Sequence, residues 1–154
     1  MLTFAGLNIT QIIMTIVVVC LFLWRMSYGM ENGLFAEAAG LIAVIAAFFA
    51  VYYSINLVNN IITVNLGNVL PKIGYLVVAF AVYKIMTALA DALRRIKNIP
   101  IIGNVDRFLG AVIGIIEAIM IILLIEYATD IEIKEPVLAT FTQLFGWIEK
   151  ILKK

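Results

Sequence analysis

Four long apolar runs alternate with short polar or charged breaks along the 154-residue chain. They lie near residues 4–24, 33–53, 73–93 and 108–127. A run of about twenty residues, wound as a helix that rises about 1.5 Å per residue, matches the thickness of a bilayer core. The pattern predicts an all-α membrane protein with four transmembrane helices in a single integral membrane domain, residues 1–154.

The last segment, 137–153, has a different pattern and follows Pro136. Its apolar side chains recur at the i, i+3 and i+4 spacing of a helix, and its other face carries Gln143, Glu149 and lysines. This segment predicts an amphipathic C-terminal helix that lies on the membrane surface. Packing of the same helix against the bundle is the alternative.

Two stretches between the runs affect the predicted boundaries. A tryptophan beside an arginine is typical of the membrane–water interface, so we expect Trp24 and Arg25 to end the first span. Residues 26–32 are then a short connection, which makes the first two helices an antiparallel hairpin. Residues 54–70 contain five asparagines and no charge, which favours a helical extension or an interfacial helix, with a lining for water or solute as the alternative.

Composition supports the membrane assignment and excludes several classes of chemistry. The chain is 64% apolar and 14% charged with a mean hydropathy of +1.10, too apolar for a soluble domain of this size to cover its surface. Without histidine there is no imidazole catalysis and no histidine-ligated metal. Cys20 lies alone in an apolar run, and the net charge of +1 does not favour nucleic acid. We expect no enzyme activity, no cofactor and no bound metal.

Small residues are the candidates for close helix packing. In the fourth run, Gly110, Gly114 and Ala118 recur every four residues and therefore share one helix face. Small faces let helix backbones approach closely where lipid provides no hydrophobic drive, and Ile121 is expected on the opposite, lipid-facing side. The helix-packing candidates are Gly29, Gly33, Gly40, Gly103, Gly110, Gly114 and Ala118.

Ionisable residues inside the predicted spans are the candidates for function. Glu37, Lys84 and Glu117 interrupt three of the apolar runs, and such residues are costly in hydrocarbon unless they are paired. Lys84 and Glu117 are each about nine residues from the third connection, so their matched depth predicts a Lys84–Glu117 contact. Glu37 is the competing partner for Lys84, or a carboxylate that reaches the headgroups.

Basic residues in the connections bear on orientation. The first and third connections carry five lysines and arginines, Arg25, Arg94, Arg95, Lys97 and Arg107. Positive residues favour the cytoplasmic side, so this count places both termini outside, whereas the lysines of the C-terminal tail favour the opposite orientation. The N-terminus has neither the basic leader nor the cleavage site of a signal peptide, and we expect its apolar segment to be retained.

The approach to the fourth run resembles the most recognisable segment of the colicin V production protein family. The matching residues are Pro100, Gly103, the loop charge pair Asp106 and Arg107, Leu109, Gly110, Ala111 and Gly114. Gly29, Gly33 and Glu37 match the glycines and glutamate with which that family enters its second span. The resemblance implies a multi-pass protein of the bacterial inner membrane that is needed for export of a peptide toxin and is linked to envelope homeostasis. It implies no known reaction.

Two function classes are favoured after these exclusions. The first is a structural or accessory membrane protein that assembles with itself, as a homo-oligomer, or with a membrane exporter, within the lipid bilayer. The second is a small transporter or ion-pathway protein that uses Lys84, Glu117 and the asparagine-rich face. An intramembrane enzyme is a third and weaker class, because Ser27, Ser54 and Cys20 have no nearby base in sequence.

Overall fold

The computed structural model describes residues 3–4, 7–61, 69–96 and 103–153, and the side-chain surroundings of 8–58, 69–92 and 103–153. The helices are α1, Ile9–Asn32; α2, Leu34–Ile61; α3, Val69–Ile96; α4, Gly103–Thr129; and α5, Lys134–Leu152. Two short antiparallel strands, β1 at Thr3–Phe4 and β2 at Leu7–Asn8, precede α1. Helices α1 to α4 are each long and apolar enough to cross a membrane, so the predicted all-α membrane class is confirmed.

The helix boundaries differ from the predicted spans in several places. Helix α1 begins at Ile9 and continues through residues 26–32, so Trp24 and Arg25 do not end it and the predicted connection is wrong. Helix α2 runs on to Ile61, which makes the first part of the asparagine-rich stretch a helical extension; residues 62–68 lie outside the described residues. Pro71 lies in the first turn of α3, where its missing N–H interrupts no helical hydrogen bond.

The chain groups into two compact units. One comprises Met1–Leu23 and Glu132–Lys154, and it includes α5, whose side chains are mostly exposed apart from Val137 and Thr140. The other unit is Trp24–Ile131. The single-domain prediction and the surface position of α5 remain predictions.

The apolar core of the second unit lies between α2, α3 and α4. Its buried members are small or branched side chains, Val44, Ala47, Val51, Ala79, Leu124 and Ala128. Ile121 is partly buried and packs against this core, so its expected lipid-facing position is wrong. The core anchors α4 to α2, and the candidate site lies further toward the α1–α2 turn.

Candidate functional site

Glycine contacts set the packing of α1 against α4. A Cβ atom built on Gly29 would overlap the carbonyl oxygen of Gly110, and one built on Gly110 would overlap the carbonyl oxygen of Gly29. A Cβ on Gly114 would lie 2.5 Å from the carbonyl oxygen of Arg25. Residue numbers therefore rise along α4 as they fall along α1, which makes these two helices antiparallel and brings their backbones into direct contact.

The turn between α1 and α2 consists of Gly33 alone. Its φ of +79° is in the left-handed region that glycine adopts without strain, and its N–H donates to the Gly29 carbonyl at 3.0 Å, which ends α1. The next N–H, that of Leu34, donates to Asp106 Oδ1 at 2.9 Å. A carboxylate of α4 thus caps the first turn of α2.

This cap corrects the prediction for the loop charge pair. Helix α4 begins at Gly103, so Asp106 and Arg107 are both helical and do not lie in a loop. Asp106 faces Gly33, where a Cβ would overlap its carboxylate, whereas the Arg107 side chain is exposed. The two adjacent charges therefore have different environments.

Arg25 bridges two buried carboxylates at the centre of the site. Its Nη2 donates to Glu37 Oε2 at 2.6 Å and also to Glu117 Oε2. The exposed fractions are 4% for Arg25, 1% for Glu37 and 0% for Glu117, so all three lie out of contact with bulk solvent or lipid. Three helices, α1, α2 and α4, are joined by this one guanidinium.

Helix α3 completes the cluster through Tyr83. Its hydroxyl donates to Glu117 Oε1 at 3.0 Å. Both oxygens of Glu117 therefore accept a hydrogen bond, one from Arg25 and one from Tyr83. We refer to Arg25, Glu37, Tyr83 and Glu117 as the ion cluster.

Glycines make room for the two carboxylates. A Cβ on Gly40 of α2 would overlap the carboxylate of Glu117, and a Cβ on Gly114 of α4 would lie 3.2 Å from Glu37 Oε2. Each helix thus presents a glycine to the glutamate of the other. These contacts also show that α2 and α4 run in parallel, because the residue numbers rise together along both helices.

A cavity of about 420 Å³ adjoins the ion cluster. Arg25, Glu37 and Tyr83 of the ion cluster line it, and most of the remaining wall is apolar. The other polar side chains of the wall belong to Tyr28 and Asn32 of α1 and to Thr87 and Asp91 of α3. The cavity therefore connects a buried group of charges with polar residues near the α1–α2 turn.

The predicted contact between Lys84 and Glu117 is wrong. Lys84 is exposed and its ammonium lies 5.7 Å from the centroid of the Phe80 ring, while Glu117 is paired with Arg25. Glu37 does not reach toward headgroups either, because its carboxylate is buried against Arg25. Glu117 is paired as expected, but with Arg25 and not with Lys84, and Glu37 shares the same cation.

The helix-packing candidates also separate into two groups. Gly29, Gly33, Gly40, Gly110 and Gly114 all lie where a Cβ atom would meet another helix, and Ala118 is fully buried. Gly103 has a φ of +48°, and a Cβ there would meet no atom of the described residues within 4 Å, so no close helix contact of the described residues depends on it. Pro100 and Lys97, used in the sequence analysis, lie outside the described residues.

Sequence reasoning missed Arg25 and Tyr83. The signal for Arg25 was its i, i+4 spacing with Gly29, which puts both residues on one face once α1 is continued past Trp24. Tyr83 gave no comparable signal, because tyrosine is common in apolar helices near an interface. No group of three or more cysteine, aspartate and glutamate side chains that could hold a metal ion is found among the described residues.

Comparison with known proteins gives one match. A family model, described as Colicin V production protein, matches residues 14–151, which cover most of the chain. No curated protein and no solved structure matches the chain. The matched range contains the whole ion cluster and all the glycine contacts described above.

Proposed function

The chain belongs to the colicin V production protein family, and from that premise we propose that it supports export of a toxin peptide, or envelope homeostasis, in the bacterial inner membrane. It does so as an accessory protein, by assembly of its helices with a second copy or with a membrane exporter. The family membership and the four helices of spanning length support the assignment as a membrane accessory protein.

The uneven burial of the helices is the observation that carries the assembly proposal. Ala79 is the one buried residue among the described side chains of α3, and large apolar side chains, including Val77, Phe80 and Ile85, are exposed on the same helix. Helix α2, by contrast, has six buried residues among those whose surroundings are described, Glu37, Gly40, Ala43, Val44, Ala47 and Val51. A membrane helix with so little internal packing has a face that either lipid or another protein covers. We assign the exposed face of α3 to contact with another protein.

Cross-linking through α3 tests this assembly. In a chain whose Cys20 is replaced by alanine, Val77→Cys should cross-link to a neighbouring membrane protein, because Val77 is 61% exposed. Ala79→Cys is the matched control on the same helix, since Ala79 is 6% exposed and should not react. Tagged protein purified in mild detergent should carry the same neighbour in stoichiometric amount by mass spectrometry. A monomer that carries no partner and forms no cross-link at Val77→Cys would overturn the proposal.

The cavity beside the ion cluster favours a second candidate, a small transporter or ion-pathway protein. Arg25, Glu37 and Tyr83 line that cavity, which is the placement that a solute or ion route through a membrane protein requires. Flux into liposomes that contain the purified chain alone would support this function. The Glu37→Gln variant should reduce such flux, while Glu31→Gln, at an exposed position near the end of α1, should leave it unchanged.

A further inference from the structure

The charges of the ion cluster do not balance. One guanidinium, that of Arg25, is in contact with two carboxylates, those of Glu37 and Glu117, and all three side chains are at least nine-tenths buried. Arginine remains protonated in proteins, so among the described side chains two ionised glutamates would leave one buried negative charge uncompensated. Such a charge is costly in an apolar surrounding, and one further positive charge removes that cost.

We propose that this charge is a proton on Glu37, which makes the ion cluster a proton-binding site within the membrane-spanning helices. The proposal goes beyond the accessory function and does not depend on it. The step is a simple one: a proton adds to one carboxylate oxygen of Glu37 to form a carboxylic acid, and no other bond changes. Glu117 stays ionised as the counter-ion of Arg25.

The hydrogen bonds identify which carboxyl group holds the proton. Both oxygens of Glu117 accept hydrogen bonds, from the Arg25 guanidinium and from the Tyr83 hydroxyl, and such bonds favour the ionised form. Glu37 accepts from Arg25 through Oε2 and lines the cavity. Glu37 is therefore the group that can exchange a proton with water, while Glu117 is enclosed.

A metal cation fits the same place poorly. The Oε2 atoms of both glutamates are directed at Arg25 Nη2, so a metal ion bound to them would lie beside the guanidinium and be repelled by it. Arg25 Nε is also buried and has no hydrogen-bond partner among the described residues, so the two carboxylates do not satisfy every donor of the guanidinium. A proton adds positive charge without occupying further space.

Each element around Glu37 contributes a group to its surroundings. Helix α1 contributes Arg25 and Tyr28, and α4 contributes Glu117. Helix α3 contributes Tyr83 and, further along the cavity wall, Asp91. The path from Glu37 through the cavity therefore passes polar groups that can hydrogen-bond water, and it provides the route by which the proton exchanges.

Infrared difference spectroscopy tests the site directly, because a protonated carboxyl group has a C=O stretch that an ionised carboxylate lacks. The purified chain in lipid nanodiscs at pH 7 should show a C=O band from one buried protonated carboxyl group per molecule. Glu37→Gln should remove this band, whereas Glu31→Gln should retain it because Glu31 is exposed near the end of α1. Glu37→Gln should also unfold at nearly the wild-type temperature, because an amide has the shape and charge of the protonated acid.

The route through the cavity has its own measurement. On transfer to D₂O the C=O band of Glu37 should shift as deuterium replaces the proton. Ala90→Leu places a larger side chain in the cavity and should slow that shift at least tenfold without removing the band. Ala88→Leu is the matched control, since Ala88 is exposed on the same helix and does not line the cavity.

Three results would overturn the proposal. The first is the absence of the band from the wild-type chain at pH 7, and the second is its survival in Glu37→Gln. The third is a stability that depends on Na⁺ or K⁺ in the wild type and not in Glu37→Gln, which would identify a metal cation as the balancing charge. None of these results bears on whether the chain binds an exporter or a second copy, so this inference and the accessory function can fail separately.

Discussion

Arg25 joins three helices through one side chain. It is the cation for two carboxylates from two other helices, and its guanidinium also lies 5.2 Å from the centroid of the Tyr28 ring. Its loss would leave the buried Glu117 carboxylate without a cation and beside a second carboxyl group, that of Glu37. Buried charges that lose their partner are among the most destabilising changes known in proteins.

We therefore expect Arg25→Met to lower the free energy of unfolding by about 3–5 kcal/mol. Glu117→Gln should cost less, because Arg25 retains Glu37, and the double variant should be more stable than the sum of the two single effects predicts. Reversible unfolding in detergent micelles measures these values. The control cycle pairs Glu117→Gln with Lys84→Met, where the coupling should be zero within error because Lys84 is exposed. A coupling of zero between Arg25 and Glu117 would contradict the bridge.

Asp106 has a smaller and more local effect. Its carboxylate accepts the N–H of Leu34, the first residue of α2. Asp106→Ala should lower the stability by about 1 kcal/mol, the usual effect of losing a side-chain cap at a helix N-terminus. Arg107→Ala is the matched control, since the adjacent side chain is exposed and should change the stability by less than about 0.5 kcal/mol. Equal effects of the two variants in a thermal unfolding assay would show that the cap contributes nothing.

Helix α4 contacts each of the other three helices in the Trp24–Ile131 unit. It runs antiparallel to α1 through Gly29, Gly110 and Gly114, and it runs parallel to α2 through Gly40 and Glu117. Glycine is required where the backbones of α1 and α4 touch, because any side chain would separate them. The same approach brings Arg25 within reach of Glu117, so the glycine contacts and the ion cluster depend on each other.

A bulky residue at the α1–α4 contact should disrupt both features. We expect Gly110→Leu to destabilise the chain by at least about 1–3 kcal/mol, the range for overpacking, because its Cβ overlaps the backbone of Gly29. Ile116→Leu on the same helix is the control, since Ile116 is 40% exposed. If both variants had the same thermal stability in nanodiscs, the close packing of α1 and α4 would be wrong.

For the Trp24–Ile131 unit as a whole, two contacts place the helix ends relative to one another. The α1–α2 turn at Gly33 meets Asp106 in the first turn of α4, so the first connection and the start of α4 lie at the same end. At the other end, Lys72 near the start of α3 lies 3.2 Å from Asp130, which follows α4. Arg25 does not belong to the basic residues of the first connection, because it is buried inside the helices.

Labelling of single cysteines tests this arrangement in membranes. With Cys20 replaced by alanine, Glu31→Cys and Val105→Cys should react from the same side, and Asp130→Cys from the opposite side. The basic residues Arg94, Arg95, Lys97 and Arg107 predict that the first side is cytoplasmic, so a membrane-impermeant maleimide should reach Asp130→Cys in intact spheroplasts. The other two positions should react only after permeabilisation. The reverse pattern would overturn the orientation, and identical reactivity at all three positions would overturn the arrangement itself.

The membrane class and the number of spans could be predicted from the sequence alone. Hydrocarbon requires long apolar helices, and the four runs near 4–24, 33–53, 73–93 and 108–127 have that length whatever their neighbours are. The small-residue faces and two members of the ion cluster, Glu37 and Glu117, could also be predicted from the sequence. A carboxylate in an apolar run is costly in hydrocarbon, and small residues at four-residue spacing share one helix face, so both features can be recognised without knowing which helices are neighbours.

The pairing of charges was decided by the tertiary structure. Lys84 and Arg25 both lie at a depth from which their side chains could contact Glu117, so depth does not choose between them. The choice depends on which face of each helix turns inward, which the sequence does not show. Gly29 and Gly110 bring α1 against α4 and orient Arg25 toward both glutamates, whereas the few buried positions of α3 leave Lys84 outside. Hydropathy reports how deep a residue lies in the membrane, but the rotation of each helix about its axis depends on side chains that are distant in sequence.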